Sequence, residues 1–459
     1  MTGHPRRLAR RCVALASAVT MTAVLAACGG TGGGSPDELE MWTFKQSHVP
    51  ALEAAAEQFR QETGITVRIQ AITPDDAFLT KVAAAARTND LPDILEVHSN
   101  GDDLTFGGAG LLEDLSGVVD DEWTGQYLPA VANEGIVTQQ YYENSLTPGS
   151  KWLGVEEGQR FSVPLTIGTF GIVYANKERL AESGYTEPPA TWDEFMEMLD
   201  AVGQDRPDDG GVANGFRSPS TGLEWLLQPM AYGMLGDQPY RDLFSDDPAV
   251  NWGSENGVAA LTEYGRIQPY WTPGTQSLTI DEADLSFAHG QSTFDIGGTF
   301  TLAFLEANGF DPDNAMTFAV PPPEGAAIPD MGLAPFALTG LSVTKDSHNK
   351  DGAIDFVRYL SGTDVAEDFA RDALDLPPND LGPNPEEAVG PVLGAMAASL
   401  SSEEDAYHAA DTSYRPNAYD SGRVGEVLAD FTPLDEGDPA DAGRNLANLI
   451  ESYWSEQQR

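Results

Sequence analysis

The sequence predicts an α/β fold, because short strand-like segments alternate with helical segments along most of the chain. Strand-like residues at 39–44, 65–71 and 93–97 are separated by helix-like residues at 50–63 and 75–87. That order and spacing are typical of a sheet whose strands are joined by crossover helices. The 459 residues are 41% apolar, which suffices for a large core and about two or three domains.

Local sequence signals mark where individual helices and strands begin and end. The first helix has Pro50 at its start and Gly64 at its end, where these residue types are favoured. Residues 161–175 form a long extended run, and Thr191 with Glu194 forms a capping box that opens another helix. Further helices are predicted at 222–235, 256–267, 281–290 and 351–360, and further strands at 292–296, 316–320 and 338–343. Residues 363–459 are predicted to be mostly helix and loop.

The charge of the chain excludes several functions. It has 25 basic and 72 acidic side chains, a formal net charge of −47. A field of that sign repels nucleic acid and anionic lipid headgroups, so neither is expected as a direct partner. We interpret the acidic surplus as a solvated surface.

The N-terminal segment has the features of an export signal. Its first eleven residues carry the basic side chains Arg6, Arg7, Arg10 and Arg11. An apolar stretch at 13–27 follows, too short for a permanent membrane span, and ends in Leu-Ala-Ala before Cys28. This junction resembles a bacterial lipobox, in which the cysteine is diacylated and becomes the mature N-terminus. Residues 28–36 would then be a flexible tether, and removal of 1–27 leaves a net charge of −51.

The cysteine count agrees with lipidation. Cys12 lies in the removed segment, so Cys28 is the only cysteine of the processed chain and no internal disulfide can form. A single exported thiol needs an explanation, and an acyl anchor supplies one. The alternative is an ordinary signal peptide with Cys28 as an incidental thiol.

Signatures of catalysis or of a metal site are missing from the sequence. It contains no Gly-x-Ser-x-Gly elbow, no phosphate-binding loop and no His-Glu-x-x-His motif. The five histidines beyond the leader are far apart, and with 72 acids some carboxylates must lie close by chance. We therefore predict no enzyme activity, no metal and no cofactor.

Seven motifs follow one another along the body of the chain: FRQETGITV at 59–67, LPDI at 91–94, GLLEDL at 110–115, VP through IVYANK at 163–177, PPATWDEF at 188–195, FAHGQSTF at 287–294 and KDSHNKDGA at 345–353. In the same order they resemble motifs of the maltose-binding-protein-like family of extracellular solute-binding proteins. Each motif alone is weak, whereas seven in order over most of the chain are specific.

The resemblance implies a type II periplasmic-binding-protein fold with two lobes, each a mixed sheet flanked by helices, joined by a hinge. By analogy lobe 1 is 37–168 with 320–344, and lobe 2 is 169–319 with 345–459. The implied function is capture of a sugar or oligosaccharide for an ABC importer at the outer face of the cytoplasmic membrane. The implied partners are permease subunits, with the membrane reached through the lipid anchor only and the protein acting as a monomer.

Sugars present flat C–H faces to aromatic rings and hydroxyls to polar groups. Carrying the family pattern onto this chain gives ten candidate ligand-binding residues: Phe44, Lys45, Gln46, His98, Asn100, Asp102, Thr169, Glu224, Trp225 and Phe300. Two further candidates come from loop positions, Trp271 in a proline-flanked loop and Tyr419 near Pro416 in the C-terminal region. Gly297-Gly298-Thr299-Phe300 matches the family's N-G-P-W segment, but Phe300 replaces the stacking tryptophan and Gly297 replaces a polar residue. Stacking therefore stays plausible, while the identity of the sugar is open.

Several alternatives remain open. Trp225 can be a ligand platform or core, Trp271 can be a cleft rim or a structural plug, and Trp192 is expected in the core. Gly168 and Gly171 can serve a hinge or merely relieve strand crowding. For the whole protein the alternatives are binding of a non-sugar solute, a surface-tethered glycan hydrolase, and an accessory receptor or sensor.

Overall fold

The computed structural model describes residues 35, 37–147, 149–400, 405–434 and 437–457. The predicted signal peptide and Cys28 lie outside these residues. Within the described ranges the strands are β1 (Glu38–Thr43), β2 (Thr66–Ala71), β3 (Ile94–His98), β4 (Val163–Gly168), β5 (Phe170–Asn176), β6 (Val212–Ala213), β7 (Phe294–Gly298), β8 (Ala315–Ala319) and β9 (Phe336–Val343).

Helices surround these strands. In chain order they are α1 (Val49–Thr63), α2 (Asp75–Thr88), α3 (Asp102–Gly108), α4 (Asp121–Thr124), α5 (Gln139–Ser145), α6 (Lys177–Glu182), α7 (Trp192–Asp205), α8 (Gln228–Leu235), α9 (Asp237–Asp242), α10 (Glu255–Gly265), α11 (Ile280–Ala288), α12 (Thr301–Ala307), α13 (Lys350–Leu360), α14 (Thr363–Ala373), α15 (Pro385–Val389), α16 (Pro391–Ser399), α17 (Ser421–Phe431) and α18 (Pro439–Gln457). None of the helices in the described ranges is long and apolar enough to cross a membrane.

The strands form two mixed sheets, which confirms the predicted α/β class. The first sheet has the order β2-β1-β3-β9-β4, with β1 parallel to both neighbours and β9 antiparallel to β3 and β4. The second has the order β6-β7-β5-β8, with β5 antiparallel to β7 and β8. Each sheet with its helices is one lobe.

The helix caps show how local sequence sets the element ends. Thr191 caps α7 by accepting a hydrogen bond from the Glu194 backbone N–H. The predicted reciprocal bond shifts by one residue, because the Glu194 carboxylate accepts from the Ala190 N–H at 2.7 Å. A complete capping box occurs instead at the start of α11, between Thr279 and Glu282.

The chain first crosses between the lobes at a single residue. β4 ends at Gly168 and β5 begins at Phe170, which leaves only the buried Thr169 between the sheets. A Cβ on Gly168 would collide with the Thr299 hydroxyl, and Gly171 has φ +87°, a left-handed conformation. Close packing and backbone conformation therefore account for both glycines in this structure, without appeal to a hinge.

The C-terminal part is shared between the lobes. We expected 345–459 in the second lobe, but α13 and α14 pack against α1 of the first lobe. The ring of Phe356, on the buried face of α13, lies 5.1 Å from that of Phe59 on α1. In contrast, α17 and α18 pack with α10 in the second lobe. The segment between α14 and α17 therefore returns the chain to the second lobe.

Candidate functional site

The carboxyl ends of β1 and β3 bring three predicted binding residues together. Phe44 follows β1, and its ring centroid lies 4.2 Å from that of His98, the last residue of β3. His98 Nδ1 lies 2.8 Å from Asp102 Oδ2 at the start of α3. Because β1 and β3 are parallel neighbours, their carboxyl ends meet at one sheet edge, where open α/β sheets bind ligands.

Polar groups at this edge influence one another. Desolvation lowers the pKa of His98, but the hydrogen bond and charge of Asp102 outweigh it, so the pKa is raised overall. Asn100 has φ +58°, which asparagine tolerates, and its Nδ2 donates to Glu134 Oε2 at 2.5 Å. Burial raises the pKa of Glu134. The edge thus offers both hydrogen-bond donors and acceptors.

A buried charge cluster, formed by His48, Glu96, Asp375 and Lys45, lies beneath this edge. His48 Nδ1 lies 2.9 Å from Glu96 Oε1, and His48 Nε2 lies 3.1 Å from Asp375 Oδ2. Lys45 Nζ donates to the same Asp375 oxygen at 2.8 Å. The side chains of His48, Glu96 and Asp375 are fully buried. An imidazole between two carboxylates is best satisfied as an imidazolium, which donates from both nitrogens.

The pKa shifts agree with this protonation. Desolvation lowers the pKa of His48, but Glu96 and Asp375 reverse the effect and raise it. Desolvation raises the pKa of Glu96 and Asp375, yet for both carboxyls the charges of His48 and Lys45 prevail and the pKa is lowered. Sequence reasoning found only Lys45 of these four, because Asp375 is 327 residues from His48 along the chain.

An aromatic cluster lies at the junction, formed by Phe170, Trp225 and Phe300 of the second lobe and by Phe336 at the start of β9 in the first. Phe170 stacks on Trp225 with a centroid distance of 5.3 Å and an angle of 23°. Phe300 lies 6.0 Å from Trp225, edge to face, and Phe336 contacts Phe170 in the same way at 5.2 Å. Trp225 is 5% exposed, so most of it is core, whereas Phe170 and Phe300 are half-buried.

Lys45 connects the two lobes. Its Nζ lies 5.6 Å from the centroid of the Phe300 ring, within the range of a cation–π contact, while it also donates to Asp375. Gln46, the next residue, is exposed. The predicted residues of the first sheet edge and Phe300 of the second lobe are therefore brought to one junction.

Glu224 and Tyr419 belong to a neighbouring polar network. The predicted helix 222–235 begins with a π-helical segment, Gly222–Leu227, a geometry that is frequent at functional sites. Arg415 Nη1 lies 3.5 Å from Glu224 Oε1 and its Nη2 donates to Gln228 Oε1 at 2.9 Å. Burial raises the pKa of Glu224 despite Arg415. The guanidinium lies 5.1 Å from the Tyr419 ring, whose buried hydroxyl has no hydrogen-bond partner among the described residues.

The remaining two predicted residues make local contacts. Thr169 is fully buried and its hydroxyl donates to the Phe170 carbonyl at 3.3 Å, so it forms part of the crossing. Trp271 donates from Nε1 to Thr432 Oγ1 at 2.9 Å and packs edge-on against Phe216 at 4.9 Å. In the described part of the chain no ring contact joins Trp271 to the aromatic cluster. Its contacts are those of a structural plug.

The described residues contain no group of His, Cys, Asp or Glu that could hold a metal ion. One carboxylate pair stands out, Asp284 on α11 and Asp295 on β7, both almost completely buried. Desolvation raises the pKa of both, to about 7 for Asp295. Because no surface reaches this pair, it is a core feature rather than an acid–base site.

Two α/β lobes, with aromatic rings on one side of their junction and polar groups on the other, define a two-lobed binding protein. The family of bacterial extracellular solute-binding proteins matches residues 45–367. The chain belongs to this family.

Relatives and solved structures agree with this assignment. The chain is 24% identical over 321 residues to Escherichia coli (strain K12) YcjN, which its name assigns to the periplasmic-binding proteins of ABC transporters. That match covers 68% of this chain but only 64% of YcjN. A structure from work on xylan utilization by Caldanaerobius polysaccharolyticus has a TM-score of 0.68 at 19% identity, covering 90% of this chain and 100% of that one. Maltose-bound MalE3 of T. maritima has a TM-score of 0.63 at 19% identity, covering 90% and 99%.

Proposed function

We propose that this protein is the substrate-binding component of an ABC importer, captures a sugar or oligosaccharide between its lobes and delivers it to membrane permeases. The observation that carries the proposal is the aromatic cluster facing a polar sheet edge across the lobe junction of a solute-binding family member. Several neighbours in fold are described with sugars, among them maltose, raffinose and chitin oligosaccharide.

The chemistry of the two faces fits a sugar ring. The half-buried Phe300 offers a flat apolar face for sugar C–H groups, and Trp225 supports it from behind. His98, Asp102 and Lys45 offer hydrogen bonds to the hydroxyl rim. Because each lobe contributes one type of contact, a ligand that uses both would favour the closed arrangement of the lobes.

Calorimetry against a panel of neutral mono- and oligosaccharides tests the proposal. At least one sugar should bind with micromolar or tighter affinity and be recovered unchanged. Binding should be weakened in Phe300→Ala but kept in Tyr359→Ala, whose ring lies on α13 beside Phe59, outside the junction. Silence across all sugars together with binding of a peptide or polyamine would overturn the sugar assignment. Turnover of a glycan would instead support the alternative of a hydrolase.

We further propose that Cys28 is lipidated and holds the protein at the outer face of the cytoplasmic membrane. The support is the Leu-Ala-Ala-Cys junction after the apolar stretch, and a glycine-rich segment that follows it. Cys28→Ser should release the protein from membranes or leave it unprocessed, and should abolish incorporation of labelled palmitate. Unchanged fractionation and labelling would refute the anchor.

A further inference from the structure

The buried charge cluster and Thr43 form a closed network of hydrogen bonds and ion pairs, the Lys45 network. Thr43 Oγ1 accepts a hydrogen bond from the Lys45 backbone N–H at 2.9 Å and donates one to Glu96 Oε2 at 2.6 Å. Glu96 pairs with His48, His48 pairs with Asp375, and Asp375 accepts from Lys45 Nζ. The network therefore holds Lys45 at two points, its backbone and the tip of its side chain.

Asp375 is the fixed point for the tip of that side chain. Its Oδ1 accepts a hydrogen bond from the Leu376 N–H at 3.0 Å, and the Leu376 carbonyl accepts one from the Ile167 N–H of β4 at 2.8 Å. Its Oδ2 faces both Lys45 Nζ and His48 Nε2. Asp375 is thus joined to the first sheet, and it keeps the Lys45 ammonium in one place relative to the first lobe.

Lys45 is the member of the network that a ligand can reach. The other four members, Thr43, His48, Glu96 and Asp375, are fully buried, whereas the Lys45 side chain is 17% exposed. An ammonium has three N–H donors, and among the described residues Lys45 Nζ donates to Asp375. Donors therefore remain for a ligand at the junction, where Nζ lies 5.6 Å from the centroid of the Phe300 ring.

The network prepares this ammonium for a neutral ligand. With His48 as an imidazolium, the positive charges of Lys45 and His48 balance the negative charges of Glu96 and Asp375. Lys45 then offers donors to sugar hydroxyls without an excess of positive charge. A lysine side chain loses rotamer freedom when it binds a ligand, and the ion pair with Asp375 has already restricted it, so binding costs less.

We propose that Asp375 is a positioning residue for sugar binding, which fixes Lys45 Nζ at the lobe junction before the sugar arrives, so that the sugar accepts a hydrogen bond from an ammonium already in place. The inference rests on the proposed function and assigns a role in binding to a fully buried residue 330 positions from Lys45. Because Asp375 is buried, its effect on the sugar must pass through Lys45.

A double-mutant cycle tests the inference, with calorimetry of the sugar that binds wild type. Lys45→Met keeps an apolar stem and should weaken binding about ten-fold or more, the effect of a hydrogen bond from a charged group. Asp375→Asn should weaken binding about three- to ten-fold in the wild-type background, but about two-fold or less in the Lys45→Met background. Equal weakening in both backgrounds would mean a purely structural role for Asp375 and would overturn the inference.

Glu113→Gln is the matched control. Glu113 accepts a hydrogen bond from Lys350 Nζ at 2.7 Å, so this change also removes the charge of a carboxylate paired with a lysine. The Glu113 backbone N–H donates to Val343, at the end of β9 opposite to Phe336 and the junction. Glu113→Gln should therefore leave the Kd for sugar unchanged.

The NMR signal of the Lys45 ammonium gives a readout that does not require the Asp375 variant to fold. The chain has six lysines, and in ¹⁵N-lysine-labelled wild type the ammonium held by Asp375 should exchange slowly enough with water to be observed in slightly acidic buffer. Its loss in Lys45→Met assigns the signal, and sugar should shift it.

The outcomes separate this inference from the proposed function. Absence of the Lys45 signal, or a sugar that binds without shifting it, would overturn the positioning role and leave sugar binding intact. A protein that shows the signal but binds no sugar would overturn the proposed function, and the inference that rests on it would fall as well.

Discussion

The two sides of the lobe junction are built from different chemistry. The first lobe presents charged and hydrogen-bonding groups supported by a buried charge cluster, whereas the second presents stacked aromatic rings. A polar side chain needs fixed partners to stay oriented, while a ring needs only close packing. The difference shows how one fold can present the two surfaces of a sugar to opposite lobes.

The buried carboxylates of the two lobes also differ, in the direction of their pKa shifts. In the first lobe Glu96 and Asp375 are kept ionised by His48 and Lys45, and their pKa is lowered. In the second lobe Asp284 and Asp295 lie beside each other, and desolvation raises the pKa of both. The charge cluster of the first lobe therefore joins distant segments through ion pairs. The Asp284–Asp295 pair of the second lobe instead retains protons, because burial favours the neutral carboxyl.

Asp375→Ala should destabilise the protein more than the other changes considered. It leaves Lys45 without its carboxylate partner and His48 with Glu96 alone in a buried position, at a cost of about 3–5 kcal/mol in the free energy of unfolding. Urea unfolding measures this loss. Asp355→Ala, an exposed aspartate on α13, is the matched control and should change stability by less than about 0.5 kcal/mol. Equal losses in both variants would mean that the cluster has no special role.

Phe300→Ala should weaken sugar binding. Removal of a central aromatic contact costs about 2 kcal/mol or more of binding free energy, roughly thirty-fold in Kd. Calorimetry with the sugar that binds wild type measures it, with Phe300→Trp expected to retain or improve affinity. An unchanged Kd in Phe300→Ala would exclude the aromatic side from ligand contact.

Asp284→Asn should reduce the fall in stability that accompanies rising pH. Between about pH 4 and 7 the folded protein keeps a proton on the Asp284–Asp295 pair that the unfolded chain releases, so the free energy of unfolding falls as pH rises. The amide cannot ionise, so the variant should be more stable than wild type by about 1–2 kcal/mol at pH 8 and lose that advantage at pH 5. Thermal unfolding at both pH values measures it; parallel changes in the two proteins would contradict the assigned pKa shifts.

Trp271→Phe should have a small effect. It removes the Nε1 hydrogen bond to Thr432 and keeps an aromatic ring, which costs about 1 kcal/mol of stability. Because Trp271 packs on Phe216 and not on the aromatic cluster, sugar affinity should stay the same. A loss of affinity without a loss of stability would place Trp271 at the cleft rim.

Local patterns predicted the elements well and the long-range contacts poorly. β1, β2 and β3 begin and end within one residue of their predicted positions, because the alternation of apolar and polar residues is a local signal. Pro50 and Gly64 likewise mark the two ends of α1, which separates β1 from β2. The placement of α13 and α14 on the first lobe was missed, since their apolar faces fit either lobe as far as sequence shows. The same limit hid the partners of His48, which come from β3 and from the segment after α14.

In the candidate site, the sequence indicated several residues that lie at the lobe junction, but not the residues that pack against them. Residues after strand ends, such as Phe44 and His98, were found because the carboxyl ends of parallel strands converge. Phe170 and Phe336 were missed, because a phenylalanine within a buried strand has no sequence feature that separates a cleft wall from core.

A crystal structure of the protein with the best-binding sugar of the panel tests the central claim most directly. We predict one sugar ring against Phe300, with its hydroxyls hydrogen-bonded to His98, Asp102 or Lys45 of the opposite lobe. A sugar bound away from the lobe junction, or at the junction without contact to both lobes, would contradict it.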